Sequence, residues 1–258
     1  MPSVFTGTAT AVAILMLSVW LLSVGKRDAS IVDIFWGAGF ALIAVVSWGN
    51  AAGYALRMNL ITVLTVVWGM RLAIYLLWRN WGTGEDYRYQ AMRRSIGEHF
   101  WLVSLFTVFA LQGVLMWIVS LPVQVAAASA LPDHLTGFDF LGAALWLTGL
   151  SFETIGDLQL ARFKSDSANR GKVMDRGLWR YTRHPNYFGD AVLWWGLFAI
   201  AFSTANSWWM VVSPLLMTGL LMRVSGVPLL EKKLVKTRPQ YAEYIRRTSA
   251  FVPWWPQP

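Results

Sequence analysis

Residues 4–24 read VFTGTATAVAILMLSVWLLSV, a stretch without a charged side chain, and the basic pair Lys26 and Arg27 follows closely. A helix needs about 20 apolar residues to cross the hydrocarbon core of a bilayer. The stretch is too long and too uniform for a typical signal peptide, no basic segment precedes it, and no clear small-residue cleavage site follows. It therefore predicts a permanent first membrane span.

Similar apolar runs recur along the chain. Of the 258 residues, 56% are hydrophobic and only 14% are charged, whereas soluble domains carry roughly 25% charged residues. We therefore predict an all-α fold, a polytopic membrane bundle of about seven transmembrane helices that forms a single integral membrane domain over residues 1–258. The predicted spans are Val4–Val24, Ile31–Trp48, Leu60–Trp78, Phe100–Leu121, Phe140–Leu160, Phe188–Phe202 and Trp208–Met222.

The basic residues lie on alternate links between these spans. The links after spans 1, 3, 5 and 7 hold nearly all of the 22 Lys and Arg, the other links hold only Arg57, and Arg71 lies inside span 3. Positive loops stay in the cytoplasm, which places the N-terminus outside and the C-terminus inside, with a bacterial inner membrane as the expected location. The net charge of +8 also suits membrane lipids or a phosphorylated cofactor, and no nucleic-acid-binding module accompanies it.

Other features of the composition set further expectations. Most of the 16 Trp are predicted to anchor the protein at the membrane interface. Cysteine is absent and the three His do not cluster in sequence, so no metal site is predicted. The connection Pro122–Thr136 is predicted to be an exposed external loop.

Four ionisable residues fall inside or at the edge of spans, namely Asp33, Arg71, Glu153 and Asp157. Such residues usually face an internal cavity or a partner. Glu153 and Asp157 are four residues apart and share a helix face, either as an internal salt bridge or, as we favour, as a polar wall around a ligand. Asp33 either lines a site with Trp36 or stabilises a helix N-terminus.

Two further patterns lie on span 3 and after it. Arg71, Tyr75 and Arg79 form a stripe at four-residue spacing that runs towards the cytoplasmic edge. The polar segment from Gly84 to Tyr89 lines a site entrance or is a solvated turn.

Two segments in the C-terminal half carry a resemblance to a known family. Residues 177–190 read GLWRYTRHPNYFGD, and residues 239–253 read PQYAEYIRRTSAFVP, preceded by Ser225-Gly226-Val227-Pro228 and Glu231. Together with the acidic pair on span 5 and Lys164, these segments resemble the bacterial steroid 5α-reductase-like family, which consists of DUF1295-type membrane reductases.

The resemblance implies an NADPH-dependent oxidoreductase acting on CH–CH bonds. Such an enzyme binds NADPH from the cytoplasm and transfers hydride to the β-carbon of an electron-poor double bond, such as the 4-ene of a 3-oxo-steroid. Its hydrophobic, steroid-like substrate enters from the bilayer. No G-x-G-x-x-G segment follows a strand pattern, so a dinucleotide would occupy a helical cavity.

The resemblance also implies roles for individual residues. Asp157 and Asn186 are similar to polar partners of the nicotinamide end or its ribose, and Tyr75 to an aromatic cofactor contact. Phosphate contacts are expected from Lys164, Lys172, Arg183 and His184. Further cofactor contacts are expected from Arg71, Tyr181, Tyr187, Asp190, Glu231, Tyr244 and Arg247, although packing or capping explains several of them equally well.

The catalytic and substrate contacts follow the same comparison. Family reductases use a carboxyl group and a tyrosine near the steroid carbonyl, but their Gln-Glu pair is not plainly present here, which leaves the substrate open. Asp33 is the nearest acidic position, Tyr87 is our prediction for the phenol, and Tyr75 is the alternative. Trp36 and Glu153 are expected to contact the substrate.

Two other classes compete with the reductase. The pattern R-H-P-x-Y-x-G also resembles membrane methyltransferases of the isoprenylcysteine or phospholipid type, which bind S-adenosylmethionine. Asn186, the acidic pair on span 5 and the number of spans favour the reductase. A lipid-binding protein or transporter is the third class, but no internal repeat is evident.

Overall fold

The computed structural model describes residues 1–224 and 227–257, so Ser225 and Gly226 of the family resemblance lie outside the described residues. Within these ranges the chain is helical and has no β-strand, which confirms the all-α prediction. The α-helices are α1 (Pro2–Lys26), α2 (Ile31–Asn50), α3 (Ala55–Asn80), α4 (Tyr87–Ile96), α5 (Phe100–Ser104), α6 (Leu111–Val119), α7 (Leu121–Ala128), α8 (Gly137–Ser165), α9 (Pro185–Phe202), α10 (Val212–Gly219), α11 (Val227–Thr237) and α12 (Tyr241–Arg247).

Shorter helical turns complete the secondary structure. The 3₁₀ turns are Gly97–His99, Ser167–Asn169, Gly177–Arg180 and Trp208–Val211, and the π-helical segments are Leu105–Ala110 and Leu220–Val224.

Four helical segments are long and apolar enough to cross a membrane. They are α1, α2, α3 and the continuous helical run Tyr87–Val119, and they correspond to the first four predicted spans. The fourth begins before the predicted Phe100 because α4 precedes it. The last three predicted spans fall largely within α8, within α9 and within the helical stretch Trp208–Arg223, and their crossing of the membrane stays a prediction.

The chain divides into two compact units. Unit 1 contains Met1–Asp139 and Ile200–Met210, and unit 2 contains Phe140–Ala199 and Val211–Pro258. Each unit is described separately, and the single domain predicted over residues 1–258 stays a prediction.

In unit 1, a short turn joins α1 to α2. The helix α1 ends because Arg27 adopts a left-handed conformation with φ of 54°, after which the Asp28 N–H donates to the Ser23 carbonyl at 3.0 Å. The Asp28 carboxylate then accepts the Ser30 N–H at 2.9 Å where α2 begins. The side chain of Asp28 therefore satisfies a backbone donor at the helix start, and α2 packs against both α1 and α3.

The helices α2 and α3 touch through their backbones. A Cβ atom added at Gly37 would lie 2.4 Å from the Gly69 carbonyl oxygen, and one added at Gly69 would lie 2.4 Å from the Gly37 carbonyl oxygen. The rings of Phe40 and Trp68 are fully buried with centroids 5.4 Å apart. Small residues allow such close approach between apolar helices, and the aromatic rings fill the space beside the contact.

The segment Pro122–Thr136 corrects a sequence expectation. Its first part belongs to α7, whose residues 121–127 are buried, so the prediction of an exposed loop is wrong there. The Gln124 side chain accepts a hydrogen bond from Thr8 Oγ1 at 2.7 Å and donates to Ser120 Oγ at 2.8 Å. The other buried side chains of α7 are apolar, and Gln124 is hydrogen-bonded. Burial of these residues therefore leaves none of their side chains with an unsatisfied polar group.

Arg57, the lone basic residue of the other links, forms a fully buried ion pair. Its Nε donates to Asp139 Oδ1 at 2.9 Å, and both side chains are 0% exposed. The guanidinium also donates to the carbonyl oxygens of Pro132 at 2.9 Å and His134 at 2.7 Å. A buried charge is tolerated when paired and hydrogen-bonded, so Arg57 fastens the segment before α8 to α3.

In unit 2, α8 and α9 also meet through glycine. A Cβ atom at Gly149 would lie 2.4 Å from the Gly189 carbonyl oxygen, and one at Gly196 would lie 2.6 Å from the Gly142 carbonyl oxygen. Gly142, Gly149 and Gly156 of α8 are spaced seven residues apart, as are Gly189 and Gly196 of α9. A seven-residue repeat keeps one helix face towards its partner, so the two backbones stay in contact over several turns.

Candidate functional site

The α8–α9 crossing brings together two predicted cofactor contacts. Asn186 Nδ2 donates to Asp157 Oδ1 at 3.2 Å, and Asp157 is 3% exposed. Gly156 makes this possible, since a Cβ atom there would lie 3.3 Å from the Asn186 backbone nitrogen. We call Asp157 and Asn186 the amide–carboxylate pair.

The Asn186 side chain retains unused hydrogen-bonding capacity. Asn186 Oδ1 is buried, and no described residue donates a hydrogen bond to it. A buried amide oxygen without a donor is costly, and such groups need an explanation. Glu153 and Asp190, which were predicted to contact substrate and cofactor, are also buried on the same two helices.

Three residues around Glu231 form what we call the tail clamp: Arg183, His184 and Glu231. Arg183 donates to both oxygens of the Glu231 carboxylate, from Nε at 2.7 Å and from Nη2 at 3.2 Å. His184 Nε2 lies 3.0 Å from Glu231 Oε1. Burial by itself would raise the pKa of the Glu231 carboxyl, but hydrogen bonds from His184 and Arg183 together hold that pKa below its ordinary value.

The tail clamp also binds the C-terminal segment. Arg183 Nη1 donates to the carbonyl oxygens of Ile245 at 3.1 Å and Thr248 at 2.5 Å, and the Arg183 N–H donates to the Ser249 carbonyl at 2.9 Å. Most of the guanidinium donors are thus used by protein acceptors. The sequence analysis placed Arg183 and His184 on cofactor phosphates, whereas the structure places both in contact with Glu231.

Tyr244 adds a further link between the tail and the preceding loop. Its hydroxyl donates to the Trp179 carbonyl oxygen, and Trp179 Nε1 in turn donates to the Gly156 carbonyl at 3.0 Å. Burial raises the pKa of Tyr244, so the phenol remains a hydrogen-bond donor. This contact explains a predicted cofactor residue by packing.

Four other predicted cofactor residues of unit 2 lie in the loop between α8 and α9, lie beside it, or contact it. The Tyr187 ring stacks on His184 with centroids 5.5 Å apart, and Arg247 donates to Asp175 at 2.6 Å. Lys164 and Lys172 are exposed, and their contact with phosphate stays a prediction.

In unit 1, the predicted stripe on α3 is present. The guanidinium carbons of Arg71 and Arg79 lie 5.4 and 5.6 Å from the centroid of the Tyr75 ring. Both distances suit cation–π contacts. The three side chains therefore share one helix face, as their spacing predicted.

Asp33 has two partners that both come from α4. Arg88 Nη2 donates to Asp33 Oδ2 at 2.6 Å, and the Tyr89 hydroxyl donates to Asp33 Oδ1 at 2.7 Å. Gln112 Nε2 donates to the Tyr89 oxygen at 3.3 Å. Tyr87, the predicted phenol, is 38% exposed. The hydroxyl that donates to Asp33 belongs to Tyr89, which the sequence analysis did not choose.

A periodic signal in α4 distinguishes the two tyrosines. Asp86 accepts the Arg88 N–H at 2.9 Å and caps the helix, which fixes where the helical period begins. Tyr89 then shares a face with Met92, Arg93 and Ile96, at spacings of three, four and seven residues, while Tyr87 lies outside that face.

Glu85 connects the starts of α2 and α4. Its carboxylate accepts hydrogen bonds from Arg93 at 2.8 and 3.0 Å and from the Ala29 N–H at 2.8 Å. Burial would raise the pKa of Glu85, but these hydrogen bonds lower it below its ordinary value. The paired acids after α3 are therefore connected to the helices and do not form a freely solvated turn.

Two other predictions concern the substrate and metals. Trp36, a predicted substrate contact, packs edge-on against Phe40 at 5.2 Å. Among the described residues, no group of three or more His, Cys, Asp or Glu could hold a metal ion.

The long apolar helices and the buried polar clusters define a helical membrane protein. The chain belongs to the DUF1295 family of proteins of unknown function, whose model matches residues 19–248. An uncharacterized protein of the fission yeast Schizosaccharomyces pombe is 22% identical over 264 aligned residues, which cover 91% of this chain and 75% of the yeast protein. No solved structure matches the chain.

Proposed function

We propose that this protein is a membrane oxidoreductase that uses NADPH to reduce the 4,5 double bond of a 3-oxo-4-ene steroid or a similar hydrophobic enone. It lies in the bacterial inner membrane and crosses it seven times, with the N-terminus outside and the C-terminus in the cytoplasm. The family resemblance of residues 177–190 and the alternating basic links support this proposal.

The amide–carboxylate pair is the observation that carries the proposal. Asn186 offers a buried acceptor that no described residue uses, and Asp157 offers a buried carboxylate on the adjoining helix. The carboxamide of nicotinamide offers N–H donors, and a ribose offers O–H donors. The two side chains therefore have the chemistry that the nicotinamide end requires.

The phosphates of the cofactor require positive charge. Lys164 and Lys172 are exposed near the end of α8 and in the loop that follows, and an ammonium group is a suitable partner for phosphate. We assign the phosphate role to these lysines, because Arg183 and His184 already bind Glu231.

The chemistry that bound NADPH supplies is a hydride for the β-carbon of the enone. Negative charge then develops on the substrate carbonyl oxygen, where an O–H donor stabilises it. The Tyr89 hydroxyl donates to Asp33 and accepts from Gln112 in the structure. It becomes such a donor when its one O–H bond turns from Asp33 to the substrate carbonyl oxygen. A general acid or water protonates the α-carbon.

Cofactor binding by the purified, detergent-solubilised protein tests the proposal. NADPH, NADH and S-adenosylmethionine are titrated separately and followed by heat or by tryptophan quenching. We expect preferential binding of NADPH, weakened about 5- to 150-fold by Asn186→Ala or Asp157→Ala, since each removes a polar group worth about 1–3 kcal/mol when buried. Asn59→Ala and Asp133→Ala, at exposed positions, serve as matched controls without effect.

Two outcomes would contradict the proposal. Binding of S-adenosylmethionine with no response to either nicotinamide cofactor would favour the membrane methyltransferase. Binding of none of the three would leave the amide–carboxylate pair as a structural contact and favour a lipid-binding role.

A further inference from the structure

Unit 2 contains an open cleft whose lining includes one predicted cofactor residue, Arg247. It has a volume of about 1090 Å³ and lies between the loop that contains the 3₁₀ turn Gly177–Arg180 and α12 with the C-terminal segment that follows it. We call it the arginine cleft because its charged lining consists of Arg176, Arg180, Arg246 and Arg247 with Asp175 and Glu243.

The arginines of this cleft are mostly unpaired. Arg247 binds Asp175 at 2.6 Å, but Arg176, Arg180 and Arg246 have no ion-pair partner among residues 1–224 and 227–257. All three are exposed. Four guanidinium groups against two carboxylates leave the cleft positive, and guanidinium groups bind phosphate through paired hydrogen bonds.

Both walls of the cleft are fixed by backbone hydrogen bonds. The Trp254 N–H donates to the Tyr181 carbonyl at 2.9 Å, and the Gln257 N–H donates to the Arg247 carbonyl at 2.8 Å. Thr182 Oγ1 donates to the Phe251 carbonyl at 2.8 Å. The cleft is therefore formed before any ligand binds.

The rim of the cleft, by which we mean the residues just before Pro256 in the chain, is apolar and exposed. Trp254 is 68% exposed, Trp255 is 75% exposed and Val252 is 59% exposed, directly before the lining residues Pro256 and Gln257. Exposed tryptophans beside basic side chains are typical of protein surfaces at the membrane–water interface, where the ring meets the lipid and the charge meets the headgroup. A soluble anion would gain nothing from this rim.

We propose that the arginine cleft binds the phosphate headgroup of an anionic phospholipid, with Trp254 and Trp255 inserted beside it in the membrane interface. The phosphate lies against Arg176, Arg180 and Arg246. This site is separate from the proposed cofactor residues except for Arg247, and it does not depend on the reductase activity.

Native mass spectrometry of the full chain in a neutral detergent tests the site. The probes are phosphatidylglycerol, phosphatidylcholine and, for the free headgroup, glycerol 3-phosphate. The variant Arg176→Gln/Arg180→Gln/Arg246→Gln removes the unpaired charges, and Arg94→Gln/Arg162→Gln/Arg170→Gln removes equal charge from exposed positions outside the cleft.

We expect the wild-type protein to retain phosphatidylglycerol in preference to phosphatidylcholine. The cleft variant should bind phosphatidylglycerol more weakly by a factor on the order of a hundred. Each basic residue near an anionic surface increases the affinity about fivefold, and the variant removes three of them. The control variant should change by less than about threefold, because charges outside the cleft act only through the screened surface potential.

Three results would overturn the proposal: equal losses in the cleft and control variants, no preference for phosphatidylglycerol, or glycerol 3-phosphate binding as tightly as the lipid. The last result would identify a site for soluble phosphates. A second test changes the salt concentration and uses only the wild-type protein, so it does not depend on whether the variant folds. Raising NaCl from about 0.1 to 1 M, which shortens the screening length from about 10 to 3 Å, should abolish the preference for phosphatidylglycerol.

Discussion

The α2–α3 crossing and the α8–α9 crossing both bring helix backbones into contact through glycine, but they differ in length and chemistry. The first has one level of contact and lies beside the fully buried rings of Phe40 and Trp68. The second repeats every seven residues and lies beside the buried carboxyl groups of Glu153 and Asp157. A contact among aromatic rings serves packing, whereas a contact beside charged side chains also fixes the positions of polar groups.

Alanine substitutions at the two crossings should have unequal effects, and the loss of stability at Gly149 is the largest single effect that we expect. A Cβ atom at Gly149 would meet three atoms, at 2.4, 2.6 and 2.8 Å, whereas one at Gly69 would meet a single atom at 2.4 Å and the next at 3.3 Å. We expect Gly149→Ala to lower the free energy of unfolding by about 3 kcal/mol and Gly69→Ala by about 1–2 kcal/mol. Thermal unfolding in mild detergent, followed by circular dichroism, measures both.

A glycine without neighbours provides the control. Gly25 lies near the end of α1, and a Cβ atom there would meet nothing within 4 Å, so Gly25→Ala should be neutral or stabilise by up to about 1 kcal/mol. If the amide–carboxylate pair binds the cofactor, Gly149→Ala should also weaken NADPH binding while Gly69→Ala should not. Equal losses of stability and affinity in both variants would contradict the distinction between the crossings.

A smaller effect should distinguish Tyr87 from Tyr89, the two tyrosines of α4 in unit 1. If Tyr89 donates to the substrate carbonyl, Tyr89→Phe should lower kcat on a 3-oxo-4-ene steroid about a hundredfold, a typical loss for one donor to a developing oxyanion. Tyr87→Phe should change kcat less than about twofold, because Tyr89 is the phenol that donates to Asp33 and Tyr87 is 38% exposed.

One outcome for the two variants Tyr87→Phe and Tyr89→Phe would favour the sequence prediction. A large loss in Tyr87→Phe with little change in Tyr89→Phe would restore Tyr87 as the phenol and make Tyr89 a structural partner of Asp33.

Hydropathy predicted the membrane-like part of the fold well because lipid imposes a simple rule, a long apolar run for each crossing. The first four predicted spans match apolar helices for that reason. The same rule failed at α7, where a short, Ala-rich helix is buried by contacts with residues distant in sequence, such as Thr8. Hydropathy cannot report such tertiary contacts.

The candidate site shows the same limit. The i, i+4 spacing of Arg71, Tyr75 and Arg79 was visible because it lies within one helix. The choice of Tyr89 over Tyr87 depended on the phase set by the Asp86 cap, and the pairing of Asp157 with Asn186 joins two helices. The seven-residue glycine spacing on α8 and α9 was available in the sequence and would have indicated their contact.

The stability of the tail clamp in unit 2 should depend on charge and therefore on pH, unlike the packing at the α2–α3 crossing of unit 1. This is the smallest effect that we expect. The pKa of Glu231 is held below its ordinary value of 4.5. A carboxyl group whose folded-state pKa is depressed contributes stability that is complete above its unfolded value and is lost as the pH falls through the folded value. Acidification below about pH 4.5 should therefore loosen residues 241–253.

Hydrogen exchange of residues 241–253, corrected for the intrinsic pH dependence of exchange, measures this loosening. Glu231→Gln removes the charge that Arg183 and His184 bind, so we expect a loss of about 1–2 kcal/mol of local protection at pH 7 and little further loss on acidification. Glu243→Gln, an exposed change on α12, should shift protection by less than about 0.5 kcal/mol. If Glu231→Gln keeps full protection at pH 7, the C-terminal segment is held by its backbone contacts alone, and the two units then differ in packing but not in their dependence on charge.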